Sequence, residues 1–414
     1  MESYNALRIL MITTVFPFPP DNGSKIPTYH RLRWLAERND VTMLCIHTGD
    51  IEPPHLQELK KYCAVHLVSA PQLKKGTGLL VKGKNFLRSL WHGTPYFVLD
   101  SVCKEAEIWL GRHADQGCFD IIEAADGDAV KYLKREWKAF KVCILHSISD
   151  SSLKRQIAIE KNVIKKAKTL AYRIVWRTYD GRIPERVNLC VTLTKQNEKE
   201  ILALNPETPA MHCLTNGVDL DYFTFQPPNE NPMGVCFVGR MDYAANVDAV
   251  LYFYKEVLPL VREVCPEIKF YIVGSSPPDE VRQLAYNKRV EVTGYVKDVR
   301  PYLRRAGLAV IPTRFGGGIL NKILEALALG VPVVTRTMSI EGLTVKPGED
   351  LLTADTPKDF ARSVLRLWDD ASLRHELARN GRKYVETNHN WKNIIDRYEK
   401  ELRNQLKIYR RQQQ

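Results

Sequence analysis

The sequence predicts an α/β protein built from two doubly wound domains with parallel sheets. Short apolar runs of strand character alternate with stretches of helical spacing along most of the chain, and such alternation builds parallel sheets covered by helices on both faces. The chain has 414 residues, more than a single hydrophobic core usually serves. A Pro/Asn-rich stretch at 211–232, containing Asn216-Gly217, interrupts the alternation and indicates a domain boundary.

The first half of the chain opens with a strand, a loop and a helix. Arg8 to Val15 is an apolar run of strand length, and the loop from Phe16 to Ser24 is rich in Pro and Gly. Apolar residues then recur at helical spacing from Ile26 to Leu35. Further strands are predicted at residues 41–47, 64–68, 120–123 and 142–145.

The second half alternates more regularly. Strands are predicted at residues 235–238, 269–273, 290–293, 308–311 and 333–335, and helices at residues 247–264, 299–305 and 319–329. Thr356-Pro357 supplies a cap residue and a proline for the start of another helix, and a basic helical segment follows from Trp391 to Arg411. We expect a first domain at 1–212, a second at 213–388, and a C-terminal helix at 389–414 that packs back on the first domain.

Composition narrows the class of protein. With 44% hydrophobic and 26% charged residues, the chain is typical of a soluble globular protein. The nine cysteines are scattered without metal-ligand spacing and are interpreted as free thiols of a reducing compartment. The apolar run Ile9 to Val15 is too short to span a bilayer, so a cytoplasmic protein is expected. The net charge of +12 favours an anionic partner, but no signature of a nucleic-acid binder accompanies it, and nucleic acid is not expected as a partner.

The segment from Pro312 to Pro332 carries the most chemistry. Three glycines, Gly316, Gly317 and Gly318, separate a strand end from a helix predicted to begin at Ile319. Glycines let backbone N–H groups approach an anion closely, and a helix N-terminus adds unpaired donors, so the pattern suits a diphosphate. The alternative is a glycine turn that joins strand to helix without a ligand.

Charged residues accompany this loop. Lys322 and Glu325 lie three residues apart on one helix face, where the lysine can reach phosphate and the glutamate a ribose. Arg240 follows the predicted strand 235–238, and Gly274 and Tyr295 follow two further strands. Ligands of open α/β sheets bind at the carboxyl ends of strands, so these loops predict a crevice. A solvated charged face and an ordinary ion pair are the alternatives.

At these residues the sequence resembles glycosyltransferase family 4, the retaining enzymes of the GT-B fold, which have two Rossmann-like domains facing a central cleft. The resemblance runs through Asn216-Gly217-Val218-Asp219, Phe237-Val238-Gly239-Arg240, Ile272-Val273-Gly274 and the segment from Gly316 to Pro332. The opening from Pro17 to Lys25 and the stretch Asp242 to Asp248 are similar to the sugar transferases of exosortase and exopolysaccharide systems.

The resemblance implies roles for several residues. Glu325 matches the family glutamate that contacts the donor ribose, whereas Gly317 stands where the family has a second glutamate on the donor sugar. Arg240 matches the arginine on the donor diphosphate. The family's lysine five residues later is Ala245 here, and Lys322 is our candidate replacement.

The first domain supplies two more candidates. His146, at the end of the strand 142–145, corresponds to a family histidine that touches the donor sugar, with Asp150 as the competing candidate. Gly23 resembles a family glycine whose backbone approaches the diphosphate or the acceptor. A structural histidine and a plain turn are the respective alternatives.

The resemblance implies a retaining glycosyltransferase that needs no cofactor and no metal and uses a UDP- or GDP-linked sugar as co-substrate. Its acceptor would be a glycan, a lipid-linked or a small molecule, in glycan, exopolysaccharide or glycolipid synthesis. A nucleotide-sugar 2-epimerase and a non-catalytic nucleotide-sugar binding protein remain open. A dehydrogenase is disfavoured because no G-x-G-x-x-G follows the first strand.

A basic stretch from Lys154 to Arg177 is a separate feature. Eight Lys and Arg residues accompany one acidic residue, Glu160, and apolar residues are interleaved with them. The apolar members are Ile157, Val163, Ile164, Leu170, Ile174, Val175 and Trp176. Such a helix could lie on an anionic membrane, or its apolar residues could pack inward beneath a solvated basic face.

Overall fold

The computed structural model describes residues 5–21, 23–70, 79–114, 116–146, 148–160, 162–316 and 318–414, with side chains of the helix beginning at Leu79 described from residue 83 onward. The chain forms two compact units. Unit 1 comprises Met1–Leu214 and Ile395–Gln414, and unit 2 comprises Thr215–Ile394. The division therefore falls inside the last helix.

Unit 1 contains a seven-stranded parallel sheet in the order β3-β2-β1-β4-β5-β6-β7. Its strands are β1 (Arg8–Thr13), β2 (Asp40–His47), β3 (Ala64–Ser69), β4 (Ile121–Ala124), β5 (Phe140–Leu145), β6 (Leu189–Thr192) and β7 (Ala210–Cys213). Its helices before the boundary are α1 (Lys25–Leu35), α2 (Pro53–Lys60), α3 (Leu79–His92), α4 (Tyr96–Asp100), α5 (Lys104–His113), α6 (Ser149–Ile159), α7 (Val163–Arg182) and α8 (Lys195–Leu204).

Unit 2 contains a six-stranded parallel sheet in the order β10-β9-β8-β11-β12-β13. Its strands are β8 (Gly234–Val238), β9 (Lys269–Val273), β10 (Val290–Val292), β11 (Gly307–Ile311), β12 (Val333–Thr335) and β13 (Leu352–Thr353). The helices are α9 (Ala244–Tyr252), α10 (Leu258–Arg262), α11 (Asp279–Arg282), α12 (Arg300–Ala306), α13 (Asn321–Leu329), α14 (Pro357–Asp369), α15 (Ala371–Asn388) and α16 (Trp391–Gln412), the last of which crosses into unit 1.

The sheets form where the sequence is apolar on both faces. Strands β4, β5 and β11 are buried at every position, as expected for parallel strands covered by helices on both sides. Each sheet then has one switch point, where the strand order turns from one direction to the other: β1 beside β4 in unit 1 and β8 beside β11 in unit 2. The predicted fold of two doubly wound domains is confirmed.

Two expected helices differ from the structure. The helix predicted from Ile319 begins at Asn321, because Gly318 has a φ of +76° and Leu320 is extended, which delays the first helical turn. The basic stretch forms two helices, α6 and α7, because the chain is extended at Glu160 and Asn162. The Asn162 side chain then accepts hydrogen bonds from the N–H groups of Ile164 and Lys165, which caps α7.

Candidate functional site

The switch point of unit 2 brings together the two loops with the strongest sequence signals. β8 and β11 are adjacent parallel strands, so the loops that follow them leave the same edge of the sheet. Arg240 lies in the loop after β8, and the glycine loop follows β11. A crevice forms outside the carboxyl ends of strands at such a point, and ligands of open α/β sheets bind there.

The glycine loop has the backbone that its sequence predicted. Gly316 has a φ of +124° and Gly318 a φ of +76°, conformations that side chains disfavour. Gly317 lies outside the described residues. No side chain caps the start of α13, whose N-cap residue is Leu320, so its first N–H groups can still serve an anion.

Lys322 reaches from α13 to the loop after β8. Its Nζ donates to Asn246 Oδ1 at 2.8 Å, and Asn246 Nδ2 donates to the carbonyl oxygen of Arg240 at 2.7 Å. The ammonium also lies 4.0 Å from the ring centroid of Phe237. One amide side chain therefore joins the amine of Lys322 to the backbone of Arg240.

Gly239 leaves the space that the lysine occupies. A Cβ at this position would come within 2.8 Å of Lys322 Nζ and within 2.7 Å of Asn246 Nδ2. Any side chain here would therefore displace the amine or the amide. Asn246 was not among the predicted site residues, because its two partners lie 6 and 76 residues away along the chain and no local pattern marks them.

Lys322 and Glu325 share a poorly hydrated environment although each remains half-buried by surface area. Removal from water lowers the pKa of Lys322 to about 7, against the attraction of Glu325. Removal from water likewise raises the pKa of Glu325 to about 7, against the attraction of Lys322. Perturbed groups of this kind in a crevice are typical of functional sites.

Arg240 is exposed and contacts the carboxylate of Asp242 through two hydrogen bonds. That contact lowers the pKa of Asp242. Because exposed pairs contribute about 0–1 kcal/mol, the guanidinium can exchange this partner for a phosphate. The Arg240 carbonyl therefore accepts the hydrogen bond from Asn246, whereas its side chain is exposed and pairs with Asp242.

Gly274 has a structural reason of its own. A Cβ at Gly274 would lie 1.9 Å from the carbonyl oxygen of Gly239, and Met241 donates its N–H to Ser275 at 2.8 Å. The loop after β9 therefore packs backbone against backbone on the loop after β8, which only glycine permits. Gly274 follows β9 as predicted, but the space beside its Cα is filled by the backbone of Gly239.

Tyr295 is less closely associated with this cluster. It follows β10, which β9 and β8 separate from β11, and its side chain is 71% exposed. Tyr222 is a second aromatic residue of unit 2, and the Arg300 guanidinium lies 3.8 Å over its ring. Burial raises the pKa of its hydroxyl, with a further contribution from Asp298 and a smaller one from Glu325. No local pattern in the sequence marks Tyr222.

The Asn216-Gly217 segment holds the start of α13. Asn216 Nδ2 donates to Asn321 Oδ1 at 2.8 Å, and the Asn216 carbonyl accepts from His389 Nδ1 at 2.6 Å. The Asn321 Nδ2 and the buried Thr313 Oγ1 have no hydrogen-bond partner in the described part of the chain. Buried polar atoms are nearly always paired, so these two groups, at either end of the glycine loop, are candidates for ligand contact.

The switch point of unit 1 forms a second polar group. Asp126, which follows β4, accepts hydrogen bonds from the Thr14 N–H at 2.9 Å, after β1, and from the Ala129 N–H at 2.8 Å. His146, after β5, places Nε2 3.1 Å from the Ala125 carbonyl oxygen, so Nε2 carries the proton. Its Nδ1 is then a buried acceptor for which the described residues supply no partner. Burial and the nearby Arg31 lower the pKa of His146.

Asp150 and Gly23, the other two candidates of unit 1, have different surroundings. The Asp150 carboxylate contacts Arg173 at 2.8 Å, and its N–H donates to Asp180 at 3.1 Å, so its charge is already compensated. A Cβ at Gly23 would meet nothing within 4 Å, which leaves room for a ligand and equally fits a surface turn. The geometry therefore favours His146 over Asp150.

Within the described ranges, no group of three His, Cys, Asp or Glu residues is arranged to hold a metal ion. A search of the same described helices found none that combines the length and apolar character needed to cross a bilayer.

Residues 232–370, all in unit 2, match the family model described as Glycosyl transferases group 1. Over 433 aligned residues, the chain is 22% identical to an uncharacterised 44.6 kDa protein in the cps region of Klebsiella pneumoniae, covering 95% of this chain and 99% of that protein.

Solved structures resemble the whole chain. Sucrose-phosphate synthase from Thermosynechococcus elongatus superposes with a TM-score of 0.69 at 20% identity, covering 96% of this chain and 98% of that one. The Anabaena protein HepE, in complex with UDP and glucose, gives a TM-score of 0.64 at 13% identity, covering 96% and 100%.

The two parallel sheets and these neighbours define the GT-B fold. With a group 1 glycosyl transferase domain on unit 2, the protein is a glycosyltransferase. The predicted fold and enzyme class are confirmed.

Proposed function

We propose that the protein is a retaining glycosyltransferase of family 4 that takes a sugar from a UDP- or GDP-linked donor. The observation that carries this proposal is the Lys322 amine, held by Asn246 at the turn of Gly239 and Arg240, beside a glycine loop of left-handed backbone. The resemblance of the fold to HepE, which binds UDP and glucose, supports a nucleoside diphosphate as the ligand.

In this proposal the residues of unit 2 stabilise the leaving diphosphate. Arg240, Lys322 and the N–H groups from Gly316 to Ile319 bind the charge that develops as the sugar departs. Glu325 binds the ribose, and Tyr295 offers an exposed ring beside the base. Loss of the Lys322 charge should cost roughly 3 kcal/mol of transition-state stabilisation.

We propose front-face attack, in which the acceptor oxygen bonds to the anomeric carbon as the bond to phosphate breaks. The acceptor proton passes to the departing phosphate oxygen, so no protein nucleophile, metal or cofactor takes part. His146 acts through Nδ1, which accepts a hydrogen bond from a sugar hydroxyl because Nε2 is committed to the Ala125 carbonyl. Gly23 approaches the diphosphate or the acceptor through its backbone.

The acceptor we propose is the hydroxyl of a glycan or of a lipid-linked sugar, in exopolysaccharide or glycolipid synthesis. The relative in a cps region and the similarity to exopolysaccharide sugar transferases support this class. With Gly317 in place of the family glutamate, the contact to the donor sugar comes from backbone N–H groups or is absent.

The experiment is thermal unfolding of the protein with a panel of UDP-, GDP- and ADP-sugars, with and without EDTA. One nucleotide class should raise the midpoint, EDTA should not change the rise, and Asn246→Ala should reduce it. The matched control is Asn380→Ala, whose amide binds a backbone carbonyl elsewhere in unit 2. Indifference to every donor contradicts the proposal.

Turnover then separates the remaining classes. A glycosyltransferase releases free nucleoside diphosphate only with an acceptor, and NMR of the product should show the anomeric configuration of the donor retained. Rearranged donor without an acceptor indicates an epimerase, and binding without turnover with any acceptor indicates a non-catalytic binding protein.

A further inference from the structure

Two helices of unit 1 expose large apolar side chains. Of the 17 exposed large hydrophobic residues in the described part of the chain, seven lie on α3 and α7. They are Leu87, Leu90 and Trp91 on α3, and Val163, Ile164, Leu170 and Ile174 on α7. Trp91 is 88% exposed and Val163 is 78% exposed. Scattered exposed apolar residues are normal, but a concentration of this kind marks an interaction surface.

The apolar residues of α7 form a continuous row. Val163, Leu170 and Ile174 are separated by seven and four residues, which places them on one helix face. Of the large apolar residues of α7, Val175 alone is buried. The structure therefore contradicts the inward-packing interpretation of this stretch for Val163, Ile164, Leu170 and Ile174.

The end of α3 adjoins this row. The next position of the row is Thr178, and a Cβ at Gly93, directly after α3, would come within 2.6 Å of its Cγ2. Arg182 Nη1 also donates to the His92 carbonyl at 3.0 Å. Trp91 therefore precedes the point where α3 meets the row, and the exposed residues of both helices form one region, the α3–α7 surface.

The charge of the α3–α7 surface is mainly positive. Neither 79–99 nor 162–179 contains an acidic residue, and the acidic residues that border these ranges have partners: Asp100 pairs with Arg88, and Glu160 accepts from the Asn162 N–H. The lysines Lys84, Lys165, Lys166 and Lys168 are exposed. Asp150 already pairs with Arg173, and Asp180 is buried. A partner that covers the surface must therefore be anionic as well as apolar.

We propose that the α3–α7 surface docks on an anionic lipid bilayer, with its apolar side chains at the boundary of headgroups and acyl chains. Lysines beside an exposed apolar row and an exposed tryptophan are the combination that lies in a membrane interface. A nucleic acid would satisfy the lysines but would leave the aliphatic row in water. The inference rests on this surface and does not depend on the donor proposed for unit 2.

The experiment is co-sedimentation of the full chain with vesicles of phosphatidylcholine alone or mixed equally with phosphatidylglycerol. The wild type should bind the mixed vesicles, and added salt should weaken binding because the attraction is partly electrostatic. Trp91→Ser and the double variant Leu170→Ser/Ile174→Ser should each bind at least about ten-fold more weakly, because buried apolar area sets part of the affinity. Lys165→Gln/Lys166→Gln should weaken binding to the mixed vesicles only.

Two controls are matched in exposure. Tyr286→Ser removes an aromatic side chain of unit 2 that is also 88% exposed, and Lys358→Gln removes an exposed lysine of α14. Both should bind vesicles as the wild type does. Every variant should keep the thermal midpoint of the wild type, which separates loss of lipid binding from loss of fold.

Tryptophan fluorescence gives an independent readout. Brominated phospholipids should quench part of the wild-type emission, and Trp91→Phe should lose that part. The proposal is overturned if the wild type binds neither vesicle, binds both equally, or binds undiminished after the Trp91 and Leu170/Ile174 substitutions. Absence of vesicle binding would assign the surface to a protein partner instead.

Discussion

We propose that the Lys322 amine gives the glycine-loop crevice its preference for an anion. Asn246 holds the amine in place, and burial disfavours its protonated form. A bound anion would stabilise that protonated form. A diphosphate would restore the compensation that water no longer provides. Burial also disfavours the ionised form of Glu325, whose pKa is raised to about 7. When it is ionised, its carboxylate can accept hydrogen bonds from ribose hydroxyls.

These pKa shifts predict donor affinity that is greatest near neutral pH. Above about pH 7, Lys322 of the unliganded protein loses its proton and the attraction for phosphate weakens. Below about pH 7, Glu325 gains a proton and becomes a weaker acceptor for the ribose hydroxyls. Calorimetric titration of the donor nucleotide across this range measures the effect. Lys322→Arg should keep affinity on the alkaline side, and Glu325→Gln should flatten the acid side. An affinity independent of pH in the wild type contradicts these assignments.

At the residue scale, the sequence singled out candidate residues by their local position. Arg240 was predicted because it follows a strand, and Lys322 and Glu325 because they share a helix face. Asn246 was missed because its importance lies in joining Arg240, six residues away, to Lys322, 76 residues away. The choice between His146 and Asp150 likewise needed the ion pair of Asp150 with Arg173, which spans two helices and leaves no mark in a local pattern.

At the element scale, the loop between β11 and α13 depends on glycine geometry. Gly316, with its positive φ, lies 3.4 Å from Tyr243 Oη and 3.8 Å from Ala245 Cβ, measured from an ideal Cβ position. An added methyl group would therefore contact the start of α9, and it would also strain the backbone of Gly316 itself. The sequence predicted this strand, loop and helix, because glycines and apolar spacing are local signals. It missed the late start of the helix, which follows from backbone angles.

Gly316→Ala is expected to reduce donor affinity by about ten-fold, because a residue with a Cβ disfavours the required backbone by roughly 1–2 kcal/mol. The matched control is Gly348→Ala, which has a φ of +88° and open space around its Cβ, elsewhere in unit 2. Both variants should lose similar stability in denaturant unfolding, but only Gly316→Ala should lose affinity in calorimetry. Equal donor affinity in the two variants would remove the loop from the site.

The exposed row of α7 shows a second limit at this scale. Helical spacing of apolar residues normally indicates a buried face, and the sequence left inward packing and membrane contact equally open. Only the structure shows which positions other elements cover. Whether a helix face is buried depends on the elements packed against it, and the order of strands in the sheet determines which elements those are.

At the scale of the whole molecule, a buried polar group connects distant parts of unit 1. Arg31 of α1 contacts Glu123 of β4 at 2.7 Å, and Tyr398 of α16 donates to the other carboxylate oxygen at 2.7 Å. All three side chains are almost completely buried. The last helix is therefore part of the core of unit 1, although it follows unit 2 in the sequence.

Tyr398→Phe should destabilise unit 1 by roughly 1–3 kcal/mol, because it leaves a buried carboxylate oxygen without its donor. Tyr409→Phe is the matched control on the same helix: the Tyr409 hydroxyl donates to the Lys138 carbonyl at an exposed position, and its loss should change stability by no more than about 0.5 kcal/mol. Urea unfolding followed by circular dichroism measures both. Equal stabilities would show that the hydrogen bond to Glu123 contributes nothing.

The most direct measurement is calorimetric titration of the stabilising nucleotide series, as nucleoside, monophosphate and diphosphate, into wild type and Lys322→Met. Lys358→Met is the control for loss of an exposed lysine in unit 2. The diphosphate should lose about 10- to 100-fold in affinity for Lys322→Met, since hydrogen bonds to charged groups contribute about 1.5–3 kcal/mol, while the nucleoside binds unchanged. If Lys322→Met binds the diphosphate as tightly as the wild type, the diphosphate does not lie at the glycine loop.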